Sequence, residues 1–515
     1  MNIIILGAGQ VGSSVAEGLV SEANDITLVD NDAESLAELR DRFEVRTVHG
    51  NAASPSVLRE AGADNADLLI AVTQSDQTNL CACKIARTLF NLPTRIARLR
   101  SADYADYPEL LDNNHFAVDF SICPEQIVTD YIRRLIDFPG ALQVLGFAGG
   151  LVNLASVIAR EGNPLIGRPL HDLYPQLLQM DAHIAAIYRS GLPVTLSDKT
   201  VIKPGDEVFC FVAAHHAHAV MESLRGASPP MRRIMIAGGG NIGSRLAASL
   251  ERDFNVKVIE MDARRAEKLA VSLHGPLVLH GNVTNEKLLE NEGIDETDLF
   301  VALTNDEEDN IMSATLAKRM GARYTLALVN RQSYVGLVEG GLIDIVISPA
   351  QASIGVLLTH VRRGDVVAVH SLRRGAAEAL EIVTHGQRSN SKVVGRAVGE
   401  ISLPEGVTIN AIVRETPNAD EHEPRAISAR TISSRVISAI YGRVKRDKAK
   451  PGAEGSPQPN RGIPSLQAGV TQSHKVLIPR DDTVIESGDH VIVFCPHKKL
   501  VKKVEKLFQV GFTFL

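Results

Sequence analysis

The chain has 515 residues, 44% of them apolar and 22% charged, with a formal net charge of −7. That length exceeds a single core and leaves room for about three or four domains, and the weak acidic balance gives no whole-chain reason to expect nucleic-acid binding. No stretch approaches the roughly 20 uninterrupted apolar residues of a membrane span, and five scattered cysteines form neither a disulfide framework nor a zinc pattern.

The first dozen residues organise the rest of the chain. The run Asn2-Ile-Ile-Ile-Leu6 reads as a strand that enters Gly7-Ala8-Gly9-Gln10-Val11-Gly12, after which an apolar-periodic helix begins. Strand, GxGxxG turn and helix, with an acid (Asp30) closing the next aliphatic run, is a dinucleotide-binding fingerprint. The first glycine serves the tight turn, the second close approach to a pyrophosphate, and the third helix–strand packing. The helix N-terminus offers free N–H groups and a positive dipole end to phosphates. A carboxylate at Asp30 suits ribose hydroxyls, favouring NAD or an adenine nucleotide over a 2′-phosphorylated cofactor. The bland alternative is a strand–turn–helix of the same kind that holds no nucleotide.

Strands are predicted at Ile3–Leu6, Asp25–Val29, Glu44–His49, Leu68–Val72, Thr94–Leu99 and Asp119–Ile122. Helices are predicted between them at Val11–Leu19, Ala33–Arg42, Ser54–Ala61, Gln77–Phe90 and Tyr104–Asn113. This alternation predicts a doubly wound parallel sheet over 1–123, with the glycine turn at the switch point. The cysteines Cys81 and Cys83 fall on the fourth helix and read as reduced core thiols. A helix at Glu125–Ile136, in a 124–140 linker, is apolar on more than one side through Ile127, Val128, Ile132, Leu135 and Ile136. It is expected to be buried at an interface, linking two lobes or swapped onto a second copy, with a plain core helix as the alternative. Residues 141–227 then read as a small α+β lobe with strands near Leu151–Ala159, Ala182–Tyr188 and Glu207–Phe211, a Pro204-Gly-Asp206 hairpin turn and a closing helix.

The whole plan then returns at a period of about 230 residues, too long for a solenoid. Gly238-Gly239-Gly240-Asn241-Ile242-Gly243 repeats the glycine turn, and Glu260 closes the following strand. His280-Gly281-Asn282 matches His49-Gly50-Asn51, Thr304 matches Thr73, and Glu307 and Asn310 fall opposite Asp76 and Asn79. The second parallel-sheet lobe spans 231–348, a second linking helix 349–365, and a second small lobe 366–508. That last lobe carries an insert of about 60 residues at 415–474, rich in Pro, Gly and Ser, with a basic block from Arg425 to Lys450. Within it Ile427–Val444 has the pattern of a basic amphipathic helix suited to an anionic membrane surface, the plainer alternative being a solvated loop.

The arrangement resembles the TrkA family of Trk potassium-uptake regulators, built from two RCK units, each a Rossmann-like lobe plus a small RCK-C lobe. The resemblance rests on the duplication, the paired glycine turns, Ala71-Val-Thr73 with Asp76 and Asn79, and Ala97-Arg-Leu-Arg100. It implies a cytoplasmic protein, peripheral on the inner face of the membrane, that assembles as a dimer or tetramer ring. It further implies gating of a membrane potassium-translocating subunit according to bound NAD(H) or ATP/ADP. Carried over to these positions, Gly7, Ala8, Gly9, Gln10 and Val11 would meet the phosphates and Asp30 the ribose. Asn51 and Thr73 would lie near the adenosine, and Arg98 or Arg100 would reach the phosphates through planar guanidinium forks. The second site would use Gly238, Gly239, Gly240, Asn241, Ile242, Glu260 and Thr304. There Ala327-Leu-Val-Asn330 lacks both arginines, although Arg331 is one step away, so weaker nucleotide binding is expected.

An NAD-dependent oxidoreductase is the competing reading. It needs a substrate lobe with a general acid or base near the nicotinamide. The lobes after each glycine-turn unit show no His/Asp or Lys/Tyr pairing at a recognisable spacing, and His215-His216-Ala-His218 reads as surface histidines. A DNA-binding repressor would need a helix-turn-helix and a basic reading face, neither of which is seen outside the insert. Linked nucleotide lobes suit a regulator, whose ligand shifts a population between arrangements.

Overall fold

The computed structural model describes the chain except residues 21–23, 102–103, 105–106, 332–333, 335–342, 362–364, 373–376, 417–472 and 511–515. The amphipathic stretch 427–444 therefore lies outside the described residues, as does nearly all of the insert.

Six short apolar runs form the first sheet: β1 (Asn2–Leu6), β2 (Asp25–Asp30), β3 (Arg46–His49), β4 (Leu68–Ala71), β5 (Thr94–Arg98) and β6 (Phe120–Ile122). All pairings are parallel in the order β3-β2-β1-β4-β5-β6. Strands β1 and β4 are buried on both faces, which is why they read as continuous aliphatic runs rather than alternating ones. The order reverses between β1 and β4, and the glycine turn sits at that switch point. The second unit repeats the order with Arg233–Ala237 in the place of β1 and Leu299–Ala302 in the place of β4. Of the helices expected in the first unit, the one at 104–113 is corrected. Among the described residues this stretch is 3-10 at Tyr104 and over Pro108–Leu111, with no α-helix.

Each parallel sheet is followed by a long helix and a five-stranded antiparallel sheet. In the first copy the strands lie side by side as Leu192–Val194, Ala182–Arg189, Glu207–Ala213, Val152–Ile158 and Ala141–Phe147. The second copy has the same order: Ser473–Leu477, Thr408–Thr416, His490–Cys495, Ala377–Val383 and Val366–Leu372. The edge strands Ala141–Phe147 and Val366–Leu372, and the closing helix Val501–Phe508, are absent from the sequence expectations. In both copies a buried aspartate pins the sheet. Asp206 takes a bidentate Arg189 pair (2.8 and 2.8 Å) and Asp489 a bidentate Arg414 pair (2.7 and 2.8 Å). The insert replaces a turn. Where the first copy closes its hairpin with Ser190 and Gly191, both at positive φ, the second diverges between the paired residues Thr416 and Ser473.

The two units exchange their linking helices. The helix Pro124–Asp137, which follows the first parallel sheet, packs on Asn241–Leu250 of the second, and Pro349–Val361, which follows the second, packs on Gln10–Val20 of the first. The helices also touch each other. One core accordingly joins Val128, Ile132, Leu135 and Ile136 with the first small lobe and with Ile234, Leu246 and Leu250 of the second parallel-sheet unit. A matching core joins Leu357, Leu358 and Val361 with Ile3, Val15 and Leu19 and with the second small lobe. The opposite faces of the small sheets meet through Phe147, Tyr188, Phe209 and Phe211 against Leu372, Val413, Ile492 and Phe494. Burial on several sides of the linking helix thus reflects contact with three partners, and a shift of either helix must be felt by both units.

Candidate nucleotide sites

At the first turn Gly7 has φ +107°, and a Cβ there would come within 3.0 Å of the Thr73 amide nitrogen and the Val72 carbonyl. A Cβ on Gly12 would lie 1.8 Å from the Gly7 carbonyl oxygen, so the helix can close onto β1 only through glycine. Gly9 differs: a Cβ there meets nothing within 4 Å, and its backbone faces open space at the start of the helix Gln10–Val20. An open approach at the middle glycine is the geometry a pyrophosphate requires. The second turn repeats all three features at Gly238, Gly240 and Gly243.

The acids at the ends of the second strands are already engaged with the turns. Asp30 Oδ2 accepts the Ala8 N–H at 2.5 Å and Oδ1 the Asp32 N–H at 3.0 Å, so its carboxylate also locks the turn. Glu260 accepts Gly239 N–H at 2.8 Å and Asp262 N–H at 2.9 Å, is buried, and has Arg265 at 3.5 Å. At Gly239 a Cβ would fall 2.2 Å from Leu269 Cδ1, so a neighbouring side chain closes over the second turn where the first has Ala8. The second acid is therefore the more enclosed of the two.

Around each turn the strand ends are clamped by buried amides. Asn79, fully buried, accepts the Thr73 N–H (3.0 Å) and hydroxyl (2.7 Å) and donates to the Thr73 and Arg98 carbonyls. Asn310 makes the same set to Thr304 and Leu328. Asp76 accepts the N–H groups of Arg100 and Ser101, as Glu307 accepts that of Arg331. These clamps explain the paired Thr, Asn and acid positions of the repeat: they fix the loop of residues 98–101 at the C-terminal end of β5. Asn51 is exposed and uses its Oδ1 on the Ala53 N–H, within a loop tied to Asp30 through the Gly50 N–H. Gln10, Val11, Asn241 and Ile242 form the first turns of the two glycine-turn helices.

Arg98 and Arg100 both turn to one carboxylate. Arg98 Nη2 lies 2.8 Å and Arg100 Nε 3.3 Å from Glu125 Oε1, in the first turn of the linking helix. Burial pushes the Glu125 carboxyl up, but the two guanidiniums, Arg98 foremost, outweigh it and hold it below the usual glutamate range. Arg98 Nε is buried with no hydrogen-bond partner. Nothing local in the sequence marks Glu125, which reads simply as a residue of a helix after Pro124. In the second unit the strand register puts Leu328 in the place of Arg98 and Asn330 in that of Arg100, and Ala350 follows Pro349 where Glu125 follows Pro124. The whole cationic cluster, with its counter-charge, belongs to the first unit.

The two units are wired together at this point. Arg245, on the helix opened by the second glycine turn, donates to the Arg100 carbonyl at 2.6 Å and to Gln126 Oε1 at 3.2 Å. Arg133 of the linking helix donates to the Ser249 carbonyl and pairs with Asp253 at 2.7 Å. Of the cysteines, Cys83, Cys210 and Cys495 are buried and Cys123 half-buried, but Cys81 is exposed: two residues from Cys83 on one helix, it cannot face the same core. His215 and His218 are at the surface, and His218 stacks on Phe138 with ring centroids 4.6 Å apart.

Two parallel-sheet units with glycine turns, each followed by an antiparallel lobe, define a tandemly duplicated Rossmann-like protein. The family model of the TrkA-N domain matches residues 3–117 and again 234–349. The chain is 48% identical over 514 residues to the Trk system potassium uptake protein TrkA of Halomonas elongata, and 47% identical over 516 residues to that of Vibrio alginolyticus. Both alignments cover 100% of each chain. The corresponding protein of Haemophilus influenzae is 40% identical over 516 residues, again across 100% of each. Among solved structures, the GsuK RCK domain aligns with a TM-score of 0.56 at 17% identity, covering 98% of this chain and 94% of that one. The GsuK channel bound to NAD aligns with the same score and identity over 98% and 78%. The chain belongs to the TrkA family of Trk system potassium uptake proteins. The relatives are named as components of potassium uptake. Among the described residues no helix is long and apolar enough to cross a membrane.

Proposed function

We propose that the chain is the nucleotide-sensing subunit of a potassium-uptake system, peripheral on the cytoplasmic face of the membrane, and that it gates a potassium-translocating membrane subunit. It acts as a homo-oligomeric ring, dimer or tetramer, and its ligands are NAD(H) and ATP/ADP. The observation that carries this reading is the Arg98–Arg100–Glu125 cluster, which lies at the same C-terminal edge of the parallel sheet as the open middle glycine of the first turn. Phosphates entering along the helix N-terminus at Gly9 compete with Glu125 for the two guanidiniums, since both are anions suited to the same planar donors. Asp30 keeps the turn in shape and takes the ribose hydroxyls; Asn51 and Thr73 flank the adenosine.

Losing its arginine partners, the first turn of the linking helix is released. That helix packs on the second parallel-sheet unit, and Arg245 ties the same loop to that unit's glycine-turn helix. Nucleotide at one turn therefore changes how two units sit on each other, a hinge-type motion which the ring transmits to the membrane subunit. The second turn, with Leu328, Asn330 and Ala350 in place of the charged cluster and with Glu260 enclosed, binds charged nucleotide more weakly.

Complementation tests the reading. In cells lacking this chain, rubidium uptake should be restored by wild type and not by Gly9→Glu, whose added side chain has room in the folded turn yet blocks the phosphate approach. Uptake unaffected by deletion of the chain would end the proposal. Asp30→Arg is the less clean probe, because it also removes the bond to the Ala8 N–H.

A further inference from the structure

Away from both glycine turns, the first small lobe gathers three metal-ligating side chains at one corner. Asp181 sits in a left-handed turn (φ +44°) just before the strand Ala182–Arg189. His215 and His216 lie in the 3-10 turn that ends the neighbouring strand Glu207–Ala213 and precedes the helix Ala217–Arg225. The sheet ladder fixes them together: Val212 pairs with Ala182, and the Ala213 N–H donates to the Asp181 carbonyl at 3.0 Å.

Asp181 Oδ2 is 3.5 Å from His215 Nε2 and 3.4 Å from His216 Nδ1, and one ligand atom from each residue falls within 4.8 Å of the others. His216 Nδ1 is buried and makes no hydrogen bond, although the Asp181 carboxylate stands 3.4 Å away. Donor atoms bonded at about 2.0–2.1 Å to a tetrahedral Zn2+ stand about 3.4 Å apart along each edge of the tetrahedron. Both measured edges agree with that spacing.

We propose that Asp181, His215 and His216 form a binding site for a divalent transition metal of the Zn2+ type. Two imidazoles and one carboxylate match the ligand preference of this class rather than of Mg2+ or Ca2+, which take oxygen donors. Three protein ligands leave the fourth position open on the exposed side of His215. The ion staples the start of one strand to the end of its neighbour and to the helix that follows. The site belongs to the first lobe alone: the register of the second sheet puts Gly406, Lys498 and Lys499 in the three positions. One ion per chain is therefore expected, independent of nucleotide.

The test uses the untagged full-length chain, stripped of metal and titrated with Zn2+ against a chromophoric chelator. Wild type should take up one equivalent, while Asp181→Ala and His216→Ala should bind at least about 100-fold more weakly. His171→Ala, at another exposed histidine beside an aspartate, should leave uptake unchanged. Equal uptake by wild type and by the Asp181→Ala/His216→Ala double variant, or none by wild type, would overturn the assignment. If the variants fold poorly, Co2+ added to wild type decides: an intense visible spectrum of four-coordinate Co2+ supports the site, and a weak six-coordinate spectrum refutes it.

Discussion

If Glu125 occupies the arginines that a nucleotide needs, removing its charge should tighten nucleotide binding while weakening the fold. Glu125→Gln is the suitable change, since the carboxamide keeps one acceptor oxygen and the volume. At about 4 Å between charge centres and an effective dielectric constant of about 20, the Arg98–Glu125 attraction is about 4 kcal/mol before solvation is counted. Arg100, 39% exposed, adds about 1 kcal/mol or less. Rehydration of the displaced carboxylate returns much of this, leaving about 1–2 kcal/mol for an incoming phosphate to overcome. Removing that opposition should lower the Kd for ATP or ADP roughly 5- to 30-fold. The buried Arg98, deprived of its partner, should cost about 1–3 kcal/mol of stability, seen as a Tm lower by several degrees. Isothermal titration on folded protein reads the first effect and calorimetric melting the second. An unchanged or raised Kd in Glu125→Gln would refute competition and make Glu125 a residue that merely positions the arginines.

Other consequences are as direct. Gly9→Glu should abolish most nucleotide binding and Gly240→Glu little of it, because only the first turn carries the arginine cluster; titration of each variant distinguishes the two, and equal losses would contradict the asymmetry. Arg245→Ala should leave first-site affinity within a few-fold but blunt the nucleotide-dependent change in small-angle scattering, since it cuts the tie between the Arg100 loop and the second unit. Burial pushes the imidazoles of His360 and His370 down to about 4. The unfolded chain takes up those protons near pH 6.5 and the folded chain only near 4, so stability is full above pH 6.5 and falls between 6.5 and 4, by up to about 3 kcal/mol for each histidine. His490 opposes this: burial lowers its pKa but the Glu381 contact raises it more, so its contribution is present below pH 6.5 and lost as pH rises. His360→Phe, which keeps a ring against Phe120, should therefore flatten the acid side of a Tm-versus-pH curve. Replacing 417–472 by a Ser-Gly turn should leave the melting temperature within a few degrees, because Thr416 and Ser473 are already cross-strand partners.

The parts legible in the sequence are those whose signal is local. Strands β1 and β4 are unbroken aliphatic runs because both faces are covered, and the glycine turn shows itself because Gly7 and Gly12 meet backbone at distances no side chain permits. Edge strands give no such signal: Ala141–Phe147 buries only every third residue and runs on to Gly149-Gly150, so it reads as loop. The exchange of linking helices is half visible. The helix Pro124–Asp137 shows apolar residues on several sides, yet which surfaces receive them depends on tertiary structure. Glu125 is invisible, since its meaning comes from arginines more than twenty residues earlier that only the parallel sheet brings to it. Asp30 is legible as an acid at the right strand end, but its bond to the Ala8 N–H belongs to the folded turn. The His215-His216 pair reads as surface, and Asp181, which the fold brings beside it, sits in the turn before the adjacent strand.

Gating by nucleotide at the first turn is most directly tested in proteoliposomes holding the membrane subunit with the purified chain. Potassium flux would be followed against added ATP, ADP or NADH for wild type and for Arg98→Ala/Arg100→Ala. The account predicts that nucleotide changes wild-type flux in a saturable way, that the double variant loses most of this response, and that Gly240→Glu keeps it. Flux that ignores nucleotide in the wild type, or responds equally in the double variant, would contradict it.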